Sequence, residues 1–336
     1  MNKIYIAAVF IVLFILIFVF LLLAGKLPFG LPGLNKTPPV KIGVLYHSSS
    51  YKLAFNGLKD KMAEDGYKDG EKVEFVVKEL SDPSDATLAT KELMEANVNI
   101  IYSVSTPVTT RVKNEADDTP IVFNIVGDPI GPGFAKSFAE PGMNLTGCTN
   151  LSASLSGKRL EIFKQAFPNI KRVVTFYDPA NAFSALSIQE TRKAASGLGI
   201  EVKEVLVKSV EEIDAELAKL RPGEFDGFYN TPDARVVGRI DKVVARANEL
   251  KIPVMGHEED LAVKGVALTY GANFYLLGRD CAIVVENIIR GHSPKTEPVI
   301  SPSKLELELI INQKTLDAIG KTISQPILSQ ADKIIK

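Results

Sequence analysis

Residues 40–50 read VKIGVLYHSSS, a short β-rich run followed at once by His47 and three serines. Residues 172–181 read RVVTFYDPAN and repeat this plan in the second half of the chain. A β-rich run that ends in small polar or turn-forming residues is typical of a strand bounded by turn signals. Self-similarity at a fixed offset indicates duplication, so the two stretches predict two related α/β halves.

From Val40 onward, β-rich segments alternate with amphipathic segments. The predicted strands of the first half are Lys41–Tyr46, Val73–Leu80, Ile100–Val104 and Ile121–Val126, and those of the second half are Arg172–Tyr177, Glu201–Val207, Phe225–Tyr229 and Ile252–Met255. Apolar residues at three- and four-residue spacing predict helices between them, among them Thr87–Glu95, Gly157–Ala166, Ser187–Leu198 and Ile240–Leu250. This pattern predicts an α/β protein with two Rossmann-like lobes and a cleft between them.

An unbroken apolar run from Ile4 to Ala24 precedes the α/β region. About 20 apolar residues are needed for a helix to cross a bilayer, whereas the apolar core of a signal peptide is shorter. We therefore predict a transmembrane signal-anchor at residues 1–26 and a stiff Pro- and Gly-rich linker at 27–39. A long signal peptide that is removed is the alternative. The short N-terminal tail favours an extracytoplasmic domain.

Composition narrows the possible partners. The 336 residues are 46% hydrophobic and 24% charged, with a formal net charge of −1. Nucleic-acid binding needs a concentrated basic surface, so this balance argues against it. The two cysteines, Cys148 and Cys281, are compatible with reduced core residues or with a disulfide pair.

In doubly wound sheets, ligands bind beyond the carboxyl ends of the strands. The residues predicted there to bind a ligand are Tyr46, His47, Ser48, Ser49, Ser105, Thr106, Asp128, Tyr177, Asn181, Asn230, Asp233 and Tyr270. The short polar members are also ordinary helix caps and turn formers. The aromatic members are also compatible with the cores of the lobes.

The residue types suggest how a ligand would be held. The serines and Thr106 offer hydroxyl and backbone N–H groups to a carboxylate. Asp128 and Asp233 are candidates for an ammonium group, oriented by Asn181 and Asn230. The tyrosines and Phe183 can sandwich a flat side chain. Arginine is scarce in these loops, which favours a zwitterion or neutral solute over a polyanion.

The sequence carries no catalytic motif. Its three histidines, His47, His257 and His292, fall in no metal-binding or nucleophile-elbow pattern, and no dinucleotide or phosphate-loop fingerprint occurs. His47 is compatible with a general base or with the wall of a pocket. We therefore predict a binding protein without cofactor or metal, and not an enzyme.

Residues 41–335 resemble the ABC-transporter substrate-binding family that includes tryptophan-binding proteins. The segments that carry the resemblance are residues 41–45 (KIGVL), 66–70 (GYKDG), 120–124 (PIVFN), 127–129 (GDP), 141–147 (PGMNLTG), 157–160 (GKRL), 177–181 (YDPAN), 270–271 (YG), 289–291 (IRG) and 310–312 (IIN). One departure is Ser105-Thr106-Pro107, where the family leads us to expect Gly-Thr-Pro.

The resemblance implies a periplasmic-binding protein type I fold with a hinge, an amino acid or other small solute as ligand, and ABC permease and ATPase subunits as partners. We expect an N-terminal lobe at 40–148 plus 273–301 and a C-terminal lobe at 149–272 plus 302–336. Crossovers are expected near Thr146–Leu151, Gly271–Phe274 and Pro298–Lys304. A membrane-anchored sensor that signals through a partner protein, and an enzyme, are the alternative functions.

Overall fold

The computed structural model describes residues 11–20 and 38–336. The predicted membrane segment at 1–26 and the predicted linker at 27–39 therefore lie largely outside the described residues. The described part of the membrane segment, residues 11–20, is helical. None of the described helices combines the length and the apolarity that a membrane span requires. Residues 40–336 form one compact unit, which is described by itself below.

Residues 40–336 contain two sheets. The five-stranded sheet has the order β2-β1-β3-β4-β5 and all its pairs are parallel. Its strands are β1 Val40–Tyr46, β2 Val73–Glu79, β3 Ile100–Val104, β4 Ile121–Val126 and β5 Leu145–Thr149. The central strands are buried on both faces, as continuous apolar runs in parallel sheets should be.

The seven-stranded sheet has the order β12-β11-β10-β9-β8-β6-β7, with β10 and β11 antiparallel. Its strands are β6 Arg172–Tyr177, β7 Glu201–Leu206, β8 Gly227–Tyr229, β9 Val254–Gly256, β10 Leu268–Ala272, β11 Leu307–Asn312 and β12 Lys333–Ile335. Both β2 and β7 are edge strands that pair with the first strand of their half and have mostly part-exposed faces. The duplicated α/β plan predicted from the sequence is thus present.

Helices cover both sheets. They are α1 Ser49–Glu64, α2 Ala86–Glu95, α3 Thr106–Glu115, α4 Ser156–Ala166, α5 Ala182–Leu198, α6 Val210–Lys219, α7 Ala234–Val237, α8 Ile240–Glu249, α9 Glu259–Val263, α10 Phe274–Ile289, α11 Gln313–Ile319 and α12 Gln325–Leu328. The 3-10 turns are Pro83–Asp85 and Lys304–Glu306.

Three predicted elements begin two or more residues away from the predicted start. The strand predicted at Phe225–Tyr229 begins at Gly227. The helix predicted to begin at Ser187 begins at Ala182, because the side-chain oxygen of Asn181 accepts the N–H groups of Phe183 and Ser184 and so caps it. The strand predicted at Ile252–Met255 begins two residues later, after Pro253.

Helix α10 follows β10 of the seven-stranded sheet in the chain but packs on the five-stranded sheet. It crosses α1 so closely that a Cβ atom on Gly57 would lie 2.0 Å from the carbonyl oxygen of Tyr275. A Cβ on Gly278 would lie 2.0 Å from that of Ala54. The first lobe, as we use the term, is the five-stranded sheet with the helices packed on it, including α10. The second lobe is the seven-stranded sheet with its helices.

Three connections join the lobes. The first crossover is residues 150–155, which lead from β5 to α4, and the second is Asn273, between β10 and α10. The third is residues 301–303, which follow Ile300 of the first lobe, where Ile300 bridges Cys148. The backbone N–H of Asn273 donates to the carbonyl of Glu306 at 2.8 Å. The Glu306 carboxylate accepts the N–H of Ser303, so Glu306 links the second crossover to the third.

Cys148 and Cys281 form a disulfide between the end of β5 and α10, with their Cα atoms 5.9 Å apart. Both residues are fully buried. Of the two possibilities that the sequence left open, the structure therefore has the pair. The bridge fastens α10 covalently to the first lobe, although a long stretch of chain that builds most of the second lobe separates the two residues.

Candidate functional site

The carboxyl end of the first-lobe sheet brings several predicted residues together. Ser48 caps α1, because its hydroxyl oxygen accepts the N–H of Tyr51 at 3.2 Å. The His47 ring lies edge-on to Tyr51, with centroids 4.8 Å apart, and its Nδ1 is 3.5 Å from the Ser105 hydroxyl. Burial lowers the pKa of His47, so the neutral imidazole prevails near pH 7. Ser49 is the exposed first residue of α1.

Ser105 holds an unusual backbone conformation at the start of α3. Its φ is 90° and its ψ is 151°, a region that only glycine adopts readily. The expected glycine of the family pattern would sit here without strain. Thr106 is the first residue of α3. The N-terminus of this helix therefore lies at the carboxyl end of the central strand β3, beside His47.

Asp128 stabilises the loop after β4. Its two carboxylate oxygens accept the N–H groups of Ile130 at 2.9 Å and Gly131 at 3.1 Å. Just before it, the β4–β5 register shifts, and Ile125 has a φ of 54°, which is rare for a β-branched residue.

Asn181 and Asp233 both cap second-lobe helices. Asp233 accepts the N–H groups of Asp178 and Arg235, at 3.0 and 2.9 Å, and the hydroxyl of Ser184 at 2.7 Å. Asp178 in turn pairs with the guanidinium of Arg235. The chain itself therefore supplies several donors to the Asp233 carboxylate, which is 1% exposed.

The three tyrosines that the sequence predicts to bind a ligand contact residues of their own lobes. The hydroxyl of Tyr46 donates to Glu79 of edge strand β2 at 3.2 Å, and that of Tyr177 donates to Glu204 of edge strand β7 at 2.9 Å. The two pairs are equivalent in the duplicated lobes. The ring of Tyr270 packs against the apolar core of the second lobe.

Asn230 is fully buried at the end of β8. Its amide nitrogen is 3.5 Å from Nδ1 of His257, while its Oδ1 has no hydrogen-bond partner among the described residues. Burial is the main cause that lowers the pKa of His257, and the nearby guanidinium of Arg159 lowers it further. A neutral imidazole beside an unsatisfied amide oxygen is thus presented at the carboxyl end of the second sheet.

Glu258 was absent from the predicted site. It follows His257 directly after β9, so the same carboxyl-end rule that selected Asn230 would have found it. Its side chain is 12% exposed, and its carboxylate makes no hydrogen bond with any described residue; Nε2 of the neutral His257 ring lies 3.9 Å from it. Burial, and then the neighbouring Asp260, raise the pKa of Glu258 to about 7.

Arg159 was missed as well, and the sequence signal for it is weaker. It occupies an apolar-face position of the amphipathic helix α4 and is fully buried. Its guanidinium donates to the carbonyl of Ser152, to the Ser156 hydroxyl at 3.0 Å and to the carbonyl of Tyr270 at 3.5 Å.

The two lobes touch across the cleft. The ring of Phe183, at the start of α5, lies against Gly127 in the loop after β4. Tyr51 of the first lobe is near Glu258 and Asp260 of the second; burial raises the pKa of Tyr51, and these two carboxylates raise it further.

A cavity of about 320 Å³ lies between the lobes beside the second crossover. It is lined by Ser49, Ser50, Leu53, Glu259, Asp260, Val263, Ala272 and Phe274. A larger hollow of about 710 Å³ lies on the second lobe, near Ile170 and Pro253. It is at the amino ends of the strands, so it is the weaker candidate for a ligand site. Within the described residues no group of His, Cys, Asp and Glu is arranged to hold a metal ion.

Comparison with known proteins identifies the family. The family model described as ABC transporter substrate binding protein matches residues 40–335. The chain belongs to this family. It is a family of solute-binding proteins. The predicted relationship is confirmed, and of the predicted fold the α/β architecture with two sheets is confirmed.

Two proteins that are similar to this chain are described with an amino-acid ligand. The chain is 28% identical over 287 residues to a tyrosine-binding protein of Clostridioides difficile (strain R20291), covering 85% of this chain and 81% of that protein. It is similar in structure to an ABC domain from Streptococcus pneumonia in complex with L-Trp, with a TM-score of 0.77, 25% identity and coverage of 88% and 100%.

A third similar structure is ligand-free. It is the open structure of a substrate binding protein with adhesive properties from Clostridium difficile, with a TM-score of 0.71, 24% identity and coverage of 88% and 99%. At this identity the similarity shows the fold alone. The structures similar to this chain thus include one with a bound ligand and one that is ligand-free and open.

Proposed function

We propose that this protein is the extracytoplasmic receptor of an ABC importer and binds an aromatic amino acid between its lobes. Membership of the substrate-binding family supports the receptor role. The tyrosine-binding relative and the tryptophan-bound structure support an aromatic amino acid as ligand. The single observation within this chain that carries the amino-acid assignment is the unpartnered Glu258.

A carboxylate in the position of Glu258 favours a cationic ligand group. A nearly buried carboxylate without a hydrogen-bond partner is costly, and an ammonium group would offset that cost. The unsatisfied Oδ1 of Asn230, in the same carboxyl-end region beside His257, offers a second acceptor. We therefore assign the ammonium group to Glu258 and Asn230. Asp128 and Asp233, the residues expected from the sequence, already accept hydrogen bonds from the chain.

The ligand carboxylate is assigned to the first lobe. The N-termini of α1 and α3 both lie at the carboxyl end of the sheet, where unsatisfied N–H groups attract anions. Ser48, Ser49, Ser105 and Thr106 would add hydroxyl groups, and His47 would form the wall beside them. A zwitterion would then contact both lobes, with its negative end in the first and its positive end in the second.

Aromatic residues of both lobes are suited to hold the ligand side chain. Phe183 comes from the second lobe, and Tyr51 from the first, with its ring 5.7 Å from that of Phe274. Of the residues assigned to the ligand, Ser49 also lines the cavity of about 320 Å³ beside the second crossover. Tyr46, Tyr177 and Tyr270 are assigned to the lobes themselves and not to the ligand.

Closure of the lobes would transmit ligand binding to the permease and ATPase subunits. A ligand that contacts both lobes stabilises the closed form by its differential affinity. The expected lobe and crossover boundaries are part of this proposal. The Cys148–Cys281 disulfide supports an oxidising, extracytoplasmic location, and we propose that the apolar run at residues 4–24 anchors the protein in the membrane there.

Titration calorimetry tests the ligand. The protein is unfolded in guanidinium and refolded to remove any co-purified solute, and it is then titrated with tyrosine, tryptophan, phenylalanine, leucine and isoleucine. We expect heat with at least one aromatic amino acid and a large loss of affinity in Glu258→Gln. Glu249→Gln is the control, because Glu249 is exposed at the end of α8 and already pairs with Arg246. If no amino acid in the panel gives heat, the proposal is wrong.

A further inference from the structure

Two residues at the carboxyl end of the first-lobe sheet have positive φ angles although neither is glycine. Ser105, between β3 and α3, has a φ of 90°, and Ile125, near the end of β4, has a φ of 54°. For a β-branched residue such as Ile125 this conformation is a genuine outlier. Strained residues persist only where the surrounding structure holds them, and they cluster at ligand sites. The groups that hold these two residues therefore bear on ligand binding.

Asn124 is hydrogen-bonded to both strained residues. Its side-chain Oδ1 accepts the N–H of Ile125 at 2.7 Å, and its backbone carbonyl accepts the N–H of Ser105 at 2.9 Å. That carbonyl and the Ile125 N–H belong to one planar peptide group. The side chain of Asn124, which is fully buried, therefore fixes the orientation of the peptide group that anchors Ser105.

The amide nitrogen of Asn124 is held from the other side. It donates to the hydroxyl of Tyr102 at 2.6 Å and to the carbonyl of Leu277 in α10 at 3.5 Å. Tyr102 is also fully buried, and its hydroxyl donates to the carbonyl of Ala54 in α1 at 3.5 Å. Because both ends of the side-chain amide have partners, the amide cannot turn over without losing hydrogen bonds. The core of the first lobe therefore sets the orientation of Asn124.

A bulge in β4 connects these contacts to the cleft. The β4–β5 register shifts at Asn124 and Ile125, which stand together opposite one residue of β5. Bulges bend a strand and re-aim the residues that come after them. The first residue after β4 is Gly127, whose backbone lies against the ring of Phe183 from the second lobe. The shape of the bulge therefore decides where the loop after β4 meets the second lobe.

We infer that Asn124 is a positioning residue for ligand binding, whose side-chain amide holds the bulge of β4 and, through the shared peptide group, the start of α3. Asn124 is buried in the core of the lobe, so it acts on the ligand through Ser105 and the loop at Gly127. The inference rests on the proposed binding of an amino acid in the cleft, with its carboxylate at the start of α3. Without the amide oxygen, both of these segments lose the support that keeps them in place.

Two substitutions of similar size separate positioning from packing. Asn124→Leu has no acceptor for the Ile125 N–H, whereas Asn124→Asp keeps that acceptor and can also accept from the Tyr102 hydroxyl. Titration calorimetry measures the binding of tyrosine and tryptophan to each full-length protein. In Asn124→Leu the dissociation constant should rise about five- to fifty-fold. Asn124→Asp should bind within about three-fold of wild type, although its buried carboxyl lowers stability.

Tyr102→Phe is the matched control within the same network. It removes a buried hydrogen bond of the Asn124 side chain and leaves the bond to Ile125 in place. It should lower stability and keep the affinity within about two-fold of wild type. Hydrogen exchange of the ligand-free proteins, followed by mass spectrometry, gives a second comparison. Residues 125–131 should lose protection in Asn124→Leu, relative to residues 172–177 of the second lobe, and should keep it in Tyr102→Phe.

Four results would overturn the inference. The first is wild-type affinity in Asn124→Leu, or in Asn124→Ala if the leucine variant does not fold. The second is an equal loss of affinity in Tyr102→Phe and Asn124→Leu, and the third is a loss in Asn124→Asp as large as that in Asn124→Leu. The fourth is unchanged protection of residues 125–131 in Asn124→Leu. If Asn124→Asp does not fold, Tyr102→Phe alone provides the comparison.

The failure of the proposed function looks different. In that case the wild type binds no amino acid, while hydrogen exchange in the ligand-free proteins still tests whether Asn124 holds the bulge.

Discussion

The ring of Phe183 in the second lobe lies directly on the backbone of Gly127 in the first. A Cβ atom on Gly127 would stand 2.4 Å from two carbons of that ring, well inside van der Waals contact. A side chain at residue 127 would therefore force the Phe183 ring to shift from this position. The pair is a point of contact between the two lobes where there is no room for a methyl group as the ring now lies.

Gly127→Ala should weaken ligand binding. The added methyl group collides with Phe183 in this arrangement of the lobes, so we expect it to destabilise the arrangement by about 1 to 3 kcal/mol. That corresponds to roughly a five- to hundred-fold rise in the dissociation constant, measured by calorimetry, with scattering shifted toward the open form. Gly197→Ala is the control, because a Cβ there meets nothing within 4 Å. Equal affinities of Gly127→Ala and wild type would contradict the contact.

Ser105→Gly should raise the stability of the protein. The positive φ of Ser105 costs about 1 to 3 kcal/mol, and glycine removes most of that cost. Glycine also loses more entropy on folding, so we expect a net gain of about 0.5 to 2 kcal/mol in the free energy of unfolding. Ser105→Ala keeps the strain and loses the hydroxyl, so it should not stabilise. Chemical denaturation compares the three proteins, and equal gains in both variants would refute strain as the cause.

Removal of the disulfide should destabilise the domain. The Cys148–Cys281 bridge closes a loop with a sequence separation of 133 residues, and such cross-links typically contribute about 2 to 5 kcal/mol. Cys148→Ala/Cys281→Ala should therefore unfold at lower denaturant concentration than the oxidised wild type. Reductant should shift the wild type toward the double variant and leave the variant unchanged. A reductant effect of the same size on both proteins would argue against the bridge.

Stability of the ligand-free protein should depend on the state of Glu258. Its pKa is raised to about 7 in the folded protein, above the value of about 4.3 in an unfolded chain. The folded state therefore binds the proton more tightly, and the free energy of unfolding falls as the pH rises through this window. Glu258→Gln should show a shallower fall between about pH 5 and about pH 8. Asp280, whose pKa burial chiefly raises to about 6, contributes equally to both proteins. Identical slopes would contradict the assignment.

Tyr46→Phe and Tyr177→Phe test whether the predicted tyrosines bind the ligand. Each hydroxyl donates to a glutamate on an edge strand, so its loss should cost about 1 kcal/mol of stability. Affinity for the amino acid should stay within about two-fold of wild type, because neither hydroxyl is assigned to the ligand. Denaturation and calorimetry measure the two effects. A large loss of affinity in either variant would return that tyrosine to the binding site.

Much of the fold could be predicted because its signals are local. Strands β3, β4 and β6 lie at the predicted residues, since an apolar run bounded by turn residues needs no distant information to be recognised. The rule that ligands lie at the carboxyl ends of strands selected His47, Ser105 and Asn230, and the structure places all three at those ends. The same rule would have found Glu258, had the loop after β9 been included.

The amino-acid sequence by itself determined the duplicated α/β plan, the family and the polar residues that follow the strands. Only the tertiary structure decided which of these polar groups remain without partners among the described residues. Asp233 and Glu258 are both carboxylates after a strand, but Asp233 accepts hydrogen bonds from its own lobe and the Glu258 carboxylate accepts none from any described residue. Pairing between Cys148 and Cys281, the burial of Arg159 and the contact of Phe183 with Gly127 depend in the same way on residues far apart in the chain. Partners of this kind are set by long-range packing, which no local pattern of residues encodes.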